Sequence, residues 1–249
     1  MAQKIITFAN HKGGVSKTTS TASIGACMAM KGKKVLLIDL DGQANLTLYF
    51  IPNEDEIETS IFDSLVNGVP LPVKHIRENL DLVPSSLEMA SAEIALTNLL
   101  AREQLLSRLL EPLRKDYDYI LIDCPPSLGI VTTNAFAADE IIVPMTPELL
   151  PLKGMRMLDA FVTTLQRVKP SLRLGGVFIA RFNHRKLNKV VEQAVKERYE
   201  SITMNTRIRE NIALAESAGS GKSIFEYDLN SNGAKDYLAL TEEILSRNQ

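Results

Sequence analysis

The stretch "NHKGGVSKTTS", residues 10–20, decides how this chain is read. It lies between the apolar run "KIITFA" at 4–9 and a helix-like segment at 17–30. A strand, a glycine-rich turn and a helix opening on Lys-Thr are the setting of a phosphate-binding loop. Gly13 and Gly14 let the backbone turn tightly and aim N–H groups at phosphate oxygens. The helix starting near Lys17 adds its positive end. Lys17 would bridge terminal phosphates, and Thr18 would place its hydroxyl on Mg²⁺. The stretch nevertheless departs from G-x-x-x-x-G-K-[ST] at both glycines, where His11 and Ser16 stand, and it carries an extra Lys12. Alone, it also reads as a glycine-rich turn with a solvated lysine.

Two further elements bear on that choice. "KKVLLIDLDGQANLT" ends an apolar run in Asp39 and Asp41, followed by Gln43 and Asn45. Two carboxylates leaving a strand at i and i+2 suit Mg²⁺ coordination and the positioning of a water, although Asp-Gly is also a common turn pair. "YDYILIDCPPS" is an apolar strand ending in Asp123, where a second metal-side carboxylate is required. The plainer alternative is a carboxylate capping a loop before two prolines. All three elements in this order are far less expected by chance than any one.

Apolar runs recur at "KIITFA", "KVLLID", "LDLVP", "YILID", "EIIVPM" and "LGGVFIA". They are rich in Ile, Val and Leu and lack clean alternation, as in parallel strands buried on both faces. Helical periodicity is expected at 17–30, 87–98, 102–112, 151–168, 186–199 and 232–247. Alternating β and α units predict a doubly wound α/β fold with a mostly parallel sheet flanked by helices. In such folds ligands bind at the carboxyl ends of the strands. The polar residues at Asn10-His11, 39–43, 123–126 and Asn183 should therefore converge.

The 249 residues fit one α/β domain, 1–249, with no visible linker. Composition is ordinary, with 45% hydrophobic and 23% charged residues and a formal net charge of −2. Net charge therefore gives no sign of nucleic acid. Cys27 and Cys124 form no metal-binding or disulfide pattern, which points to a reducing cytoplasm. The start "MAQKIITFAN" is too short and polar for a signal peptide. No window approaches the ~18 apolar residues of a membrane span.

"KGGVSKTT", "DLDGQANLT" and "IDCPPSLGIVTTNAFAADEIIVP" resemble the deviant Walker motifs of the ParA partition ATPases, in their Soj-like short form. "PSSLEMASAE" and the tail "GKSIFEYDLNSNGAKDYL" resemble that family too, so the resemblance spans nearly the whole chain. The family's loop reads K-G-G-x-x-K-[ST], which accommodates Ser16 and makes the early lysine a signature. The resemblance implies an ATP-dependent homodimer in which Lys12 reaches phosphates held by the other subunit. It implies nucleotide binding by Lys12, Gly13, Gly14, Val15, Ser16, Lys17, Thr18 and Thr19. Thr18, Asp39 and Asp123 would serve Mg²⁺, and Asp41 would orient the attacking water. The implied chemistry is slow ATP hydrolysis that awaits a ParB-like, centromere-binding partner, carried out at the nucleoid in the cytoplasm. Asn183 resembles the asparagine with which related MinD-type ATPases read adenine; an amide offers the donor and acceptor that edge needs. As a loop residue it reads equally as part of a turn.

Residues 181–209 hold eight Lys or Arg against three Glu, a net +5 in a chain of −2. On the helix near 188–199, Val190, Val191, Ala194 and Val195 form the expected core stripe, with Lys189 and Lys196 toward solvent. The family binds DNA without sequence preference through basic residues of its later segments. By that resemblance Arg185, Lys186, Lys189, Lys196, Arg207 and Arg209 are the candidate DNA contacts. One departure stands out: "RENIALAESA" has Ala213 where close relatives carry an arginine, and Arg207 and Arg209 are the candidate substitutes. No helix-turn-helix extension is expected ahead of residue 1. "SAGSGKS" at 217–223 mimics a phosphate loop, but Glu216 replaces its first glycine and no buried strand precedes it, so a helix-ending turn is expected.

Three rival readings bear on the same sequence. A MinD-like membrane-positioning ATPase needs a basic amphipathic C-terminal helix, whereas this chain ends "LALTEEILSRNQ". A scaffold that uses ATP only as a dimer clamp would not need Asp41. An iron–sulfur reductase needs a cysteine pattern that two scattered cysteines do not supply.

Overall fold

A computed structural model of the chain describes residues 4–147, 159–160, 162–164, 166–167, 169–183 and 185–248. Seven strands form one sheet: β1 (Lys4–Phe8), β2 (Val35–Asp39), β3 (Lys74–Arg77), β4 (Leu80–Val83), β5 (Tyr119–Asp123), β6 (Glu140–Met145) and β7 (Arg173–Ile179). Their order is β3-β4-β2-β5-β1-β6-β7. Every pairing is parallel except β3 with β4. The expected mostly parallel, doubly wound α/β fold is therefore present.

The apolar runs lack alternation because both faces of the sheet are covered. Leu36, Ile38, Ile120, Ile122, Ile141 and Val143 pack into one core. Leu37, Leu121 and Ile142, the residues between them, pack into the other with Ile6 and Phe8. Each strand thus divides its side chains between two layers of helices.

The six expected strands are present, and β3 is a seventh that no apolar run announces. Its sequence, Lys-His-Ile-Arg, alternates between half-buried and exposed. That charged alternation is how an edge strand resists pairing with another chain. The segment 87–98 is not one helix: a 3₁₀ turn at Leu87–Ser91 precedes a single α-turn at Ala92–Ala95. Likewise 102–112 breaks into a 3₁₀ turn at Arg102–Gln104 and a helix at Leu105–Leu110. The break is held by Asn134, whose amide donates to Arg102 O and whose carbonyl accepts from Leu106 N. The expected helix at 151–168 lies mostly outside the described residues, although 159–160 and 162–164 within it are helical. The helices Lys17–Met30, Lys186–Tyr199 and Asn232–Arg247 stand where periodicity put them.

One core assignment is corrected. Val191 and Val195 are buried on the Lys186–Tyr199 helix, but Val190 is 64% exposed. The buried stripe runs instead through Asn188, Val191, Glu192, Val195 and Tyr199. Polar Asn188 and Glu192 are inside because they have partners: Asn188 donates to Asn183 O, and Glu192 pairs with Arg207.

Candidate functional site

The sheet order brings the ends of β1, β2 and β5 side by side, because β5 inserts between the other two. Strand order switches sides at β1, with β5 and β2 to one side and β6 and β7 to the other, so the crevice forms there. Phe8 and Asp39 both pair in register with Asp123. The loop after β1 and the carboxylates ending β2 and β5 therefore meet in one place.

Asn10 fastens the loop: its amide donates to Pro144 O at 2.8 Å, and its side-chain oxygen accepts from Lys12 N at 3.1 Å. Gly14 turns with φ +71°, and nothing lies within 4 Å of the position a side chain would take at Gly13 or Gly14. The inner surface of the turn is therefore open backbone, the cradle a phosphate needs. Ser16, standing where the ordinary pattern has glycine, is also left-handed, with φ 71° and ψ 26°. The position keeps the glycine conformation without the glycine.

Ser16 caps the helix Lys17–Met30 with no side-chain hydrogen bond, and the first turn holds no acidic residue. The helix's own first turn thus places no carboxylate at its positive end, which suits an anionic ligand. Lys17 is buried, and its Nζ donates to Lys12 O at 3.2 Å. Lys12 itself is exposed at the loop mouth.

Thr18 Oγ1 donates to Asp123 Oδ2 at 2.6 Å. Asp123 is fully buried, and its other oxygen, Oδ1, has no hydrogen-bond partner. Asp39 is also fully buried; Oδ2 accepts from Thr47 N and Thr47 Oγ1, each at 2.8 Å, and Oδ1 accepts from Asp41 N at 3.0 Å. Burial pushes the Asp39 carboxyl up to about 6, against the pull of its Thr47 hydrogen bonds. Burial, then the Asp39 charge, hold Asp123 well above the usual carboxylate range. Two buried carboxylates beside a threonine hydroxyl are short of positive charge.

No group of three or more His, Cys, Asp or Glu positioned to hold a metal occurs among the described residues. That donor set suits Mg²⁺, which keeps waters and phosphate oxygens and takes few protein ligands. The orphaned Asp123 oxygen and the Thr18 hydroxyl fit such an ion.

Asp41 is half-buried; its side chain accepts from Gln43 N at 3.0 Å and its carbonyl from Ser85 Oγ at 2.8 Å. Gly42 is needed here, because a Cβ would come within 2.6 Å of Ala90 N. Gly13, Gly14, Ser16, Lys17, Thr18, Thr19 and Asp41 all line one cleft of about 990 Å³. Val15 is buried beneath the loop.

Another wall of that cleft is formed by Ile208–Ile212 with Leu214, Ala215 and Ala218, together with Leu48 and Tyr49. The sequence reading had no signal for this wall; short helices and apolar loop residues carry no motif. Asn183 does not line it. Its Oδ1 is held by Asn188 and its amide donates to Glu210 at 3.4 Å, while Arg181 and Glu210 do line the cleft.

The basic residues separate into two kinds. Arg185, Lys186 and Lys189 are exposed. Lys196 and Arg207 both pair with Glu192, at 3.0 and 2.6 Å, and Arg207 also stacks 4.8 Å from the Phe182 ring. Arg209 forks onto Asp236, with Nη2 to Oδ1 at 2.6 Å and Nε to Oδ2 at 2.9 Å, and faces the cleft. The "SAGSGKS" decoy is a helix end followed by a turn: the helix Ala213–Gly219 stops there, and Ser223 caps Ile224–Tyr227.

A strand, an open left-handed loop, a buried lysine, a Thr–Asp hydrogen bond and a second strand-end carboxylate define a P-loop nucleotide-binding protein with an altered loop. Residues 3–174 match the family described as AAA domain. The sporulation initiation inhibitor protein Soj of Bacillus subtilis is 38% identical over 248 residues, 97% of this chain and 98% of that protein. A plasmid partition protein of Borrelia burgdorferi bound to AMPPNP superposes with a TM-score of 0.87 at 30% identity, covering 98% of this chain and 99% of its own. Cobyrinic acid a,c-diamide synthase of Mycobacterium smegmatis, with bound ATP analog and magnesium, gives 0.85 at 31%, covering 98% and 94%. The chain belongs to the ParA/Soj family of P-loop ATPases.

Proposed function

We propose that this chain is a DNA-partition ATPase. It binds ATP with Mg²⁺, dimerises on ATP, holds DNA without sequence preference, and hydrolyses ATP when a ParB-like partner stimulates it. The observation that carries this reading is the convergence of the glycine loop, Thr18 and Asp41 at one cleft, with Asp123 buried behind Thr18 and Asp39 in register beside it. The 38% identity to Soj supports partition over the synthase chemistry named for the Mycobacterium smegmatis structure.

In this reading the loop N–H groups and Lys17 hold the phosphates, with Lys17 already bent into the loop by Lys12 O. Lys12, at the mouth, serves phosphates presented by a second subunit. Thr18, backed by Asp123 and Asp39, holds Mg²⁺, which supplies charge neutralisation to the phosphates. Asp41 orients the water, its backbone fixed by Ser85 and by the close packing at Gly42. Catalysis is then positioning plus charge, with no covalent step for the protein.

The helix Asn232–Arg247 buries Ala234, Tyr237, Leu240 and Ile244 in the core, so its own apolar face is not offered to a membrane as the MinD-like rival requires. Among the described residues no helix is long and apolar enough to cross a membrane. Phosphate release tests the ATPase reading. Wild type should release phosphate from ATP with Mg²⁺ and random duplex DNA. Asp41→Ala should bind ATP and dimerise yet release phosphate at least about tenfold more slowly. No release by wild type would leave only an ATP-clamped scaffold; equal rates would remove Asp41 from its role.

A further inference from the structure

The Ser16 peptide is held from below by a buried relay. Ser20 Oγ donates to Ser16 O at 2.5 Å, and Ser20 N donates to the same carbonyl at 2.9 Å. Tyr237 OH lies 2.9 Å from Ser20 Oγ. Ser20 and Tyr237 are both fully buried. Because the Ser20 proton is committed to Ser16 O, the Tyr237 hydroxyl must be the donor to Ser20. The relay therefore runs in one direction, from Tyr237 through Ser20 to Ser16.

We propose that Tyr237 is a positioning residue of the phosphate loop, acting through Ser20 to hold Ser16 in its left-handed conformation and so to aim the Lys17 N–H at the ligand. A trans peptide is planar, so pinning the Ser16 carbonyl into the helix turns the Lys17 N–H the opposite way, toward the mouth. Ser16 needs the help because a non-glycine residue at φ 71° is disfavoured. Glycine at that position would hold the same conformation unaided. Tyr237 reaches the loop from the helix Asn232–Arg247, which lies against Lys17–Met30. The previous residue, Asp236, forks onto Arg209 of the cleft wall. One helix thus braces both the loop and a wall of the cleft.

The inference rests on the nucleotide reading of the loop, and the test separates the two. Affinity for methylanthraniloyl-ATP with Mg²⁺ would be measured for wild type, Tyr237→Phe, Ser20→Ala, Ser16→Gly and Ser16→Gly/Tyr237→Phe, with melting temperatures beside it. Amide exchange over residues 12–20 would be followed in the nucleotide-free protein. Tyr237→Phe and Ser20→Ala should each weaken binding about five- to tenfold, the scale of one hydrogen bond. In the Ser16→Gly background the Tyr237 change should cost less than about twofold, because the relay has nothing left to hold. Exchange over the loop should quicken in Tyr237→Phe. The proposal is overturned if the loss is equal in both backgrounds, or if melting falls while affinity and loop exchange stay at wild-type values. A wild type that binds no nucleotide would sink the functional reading, and the exchange result would still decide the relay.

Discussion

Asp39 and Asp123 end neighbouring parallel strands in register, and both are fully buried. Nothing in a sheet requires two carboxylates to be brought together at the ends of adjacent strands. Burial raises the proton affinity of both, and the Asp39 charge raises that of Asp123 further. The pair is a standing cost that a cation and the Thr18 hydroxyl would offset.

That cost should be visible in the pH dependence of stability. Asp123 titrates from 3.8 when unfolded and from well above that when folded, so across this range the folded state binds more protons than the unfolded. Stability from this group is then highest below 3.8 and falls as pH rises through the folded value. Asp39, at about 6, acts in the same sense. Other carboxylates have the opposite sign, as Glu243 does, so the comparison must be with a variant. In nucleotide-free, Mg²⁺-free buffer, the melting temperature of Asp123→Asn minus that of wild type should grow from pH 4 to 7. A difference that shrinks would mean the carboxyl is not held protonated.

Ser16 gives a second test of the loop. Its left-handed backbone costs roughly 1 kcal/mol relative to glycine, part of which the greater freedom of unfolded glycine returns. Ser16→Gly should therefore stabilise the nucleotide-free protein by about 0.5 kcal/mol, measured by urea unfolding. A loss of more than about 1 kcal/mol would show that the serine side chain has a structural role beyond its backbone.

Lys12 separates binding from assembly. Its main-chain carbonyl, not its side chain, accepts from Lys17 Nζ, so Lys12→Ala leaves that contact in place. Nucleotide affinity of the monomer should stay within about threefold of wild type, less than 0.7 kcal/mol. ATP-dependent dimerisation, followed by light scattering, should be lost. A variant that still dimerises would take Lys12 out of the cross-subunit role.

Much of this site was legible because its chemistry sits in short motifs. "KGGVSKTT", the acid after "LLI" and the acid after "ILI" are local strings whose strand context is equally local. What escaped was tertiary. Thr47 holds Asp39 from eight residues away, inside a string already read as polar loop. Tyr237 lies 217 positions from Ser20, and helical periodicity marks it only as core. Glu93 caps the helix Ile130–Ala135 through Ile130 N and Val131 N, a contact that no spacing announces. The basic residues of 181–209 were legible as a charge run, but the acids that neutralise some of them, Glu192 and Asp236, are set by folding.

That division of the basic segment reshapes the DNA test. Lys189 is exposed and in no ion pair among the described residues. Arg209 is committed to Asp236 and faces the cleft, and Arg207 shares Glu192 with Lys196. If a dimer presents two copies of this segment to one duplex, linked contacts raise avidity without new chemistry. DNA binding should then require ATP, ignore sequence, and weaken with salt by about 0.9 log units per log unit of salt for each phosphate neutralised. Lys189→Ala should lower that slope by roughly two per dimer. Arg209→Ala should leave the slope nearly unchanged and instead weaken nucleotide binding, because it frees Asp236 and loosens the cleft wall. Arg207→Ala should fall between them, since removing it leaves Glu192 to Lys196. Fluorescence anisotropy of random duplex DNA across a salt series would read all three. A Lys189 variant with the wild-type slope, beside an Arg209 variant with a reduced one, would move the DNA contact from the outer helix to the cleft.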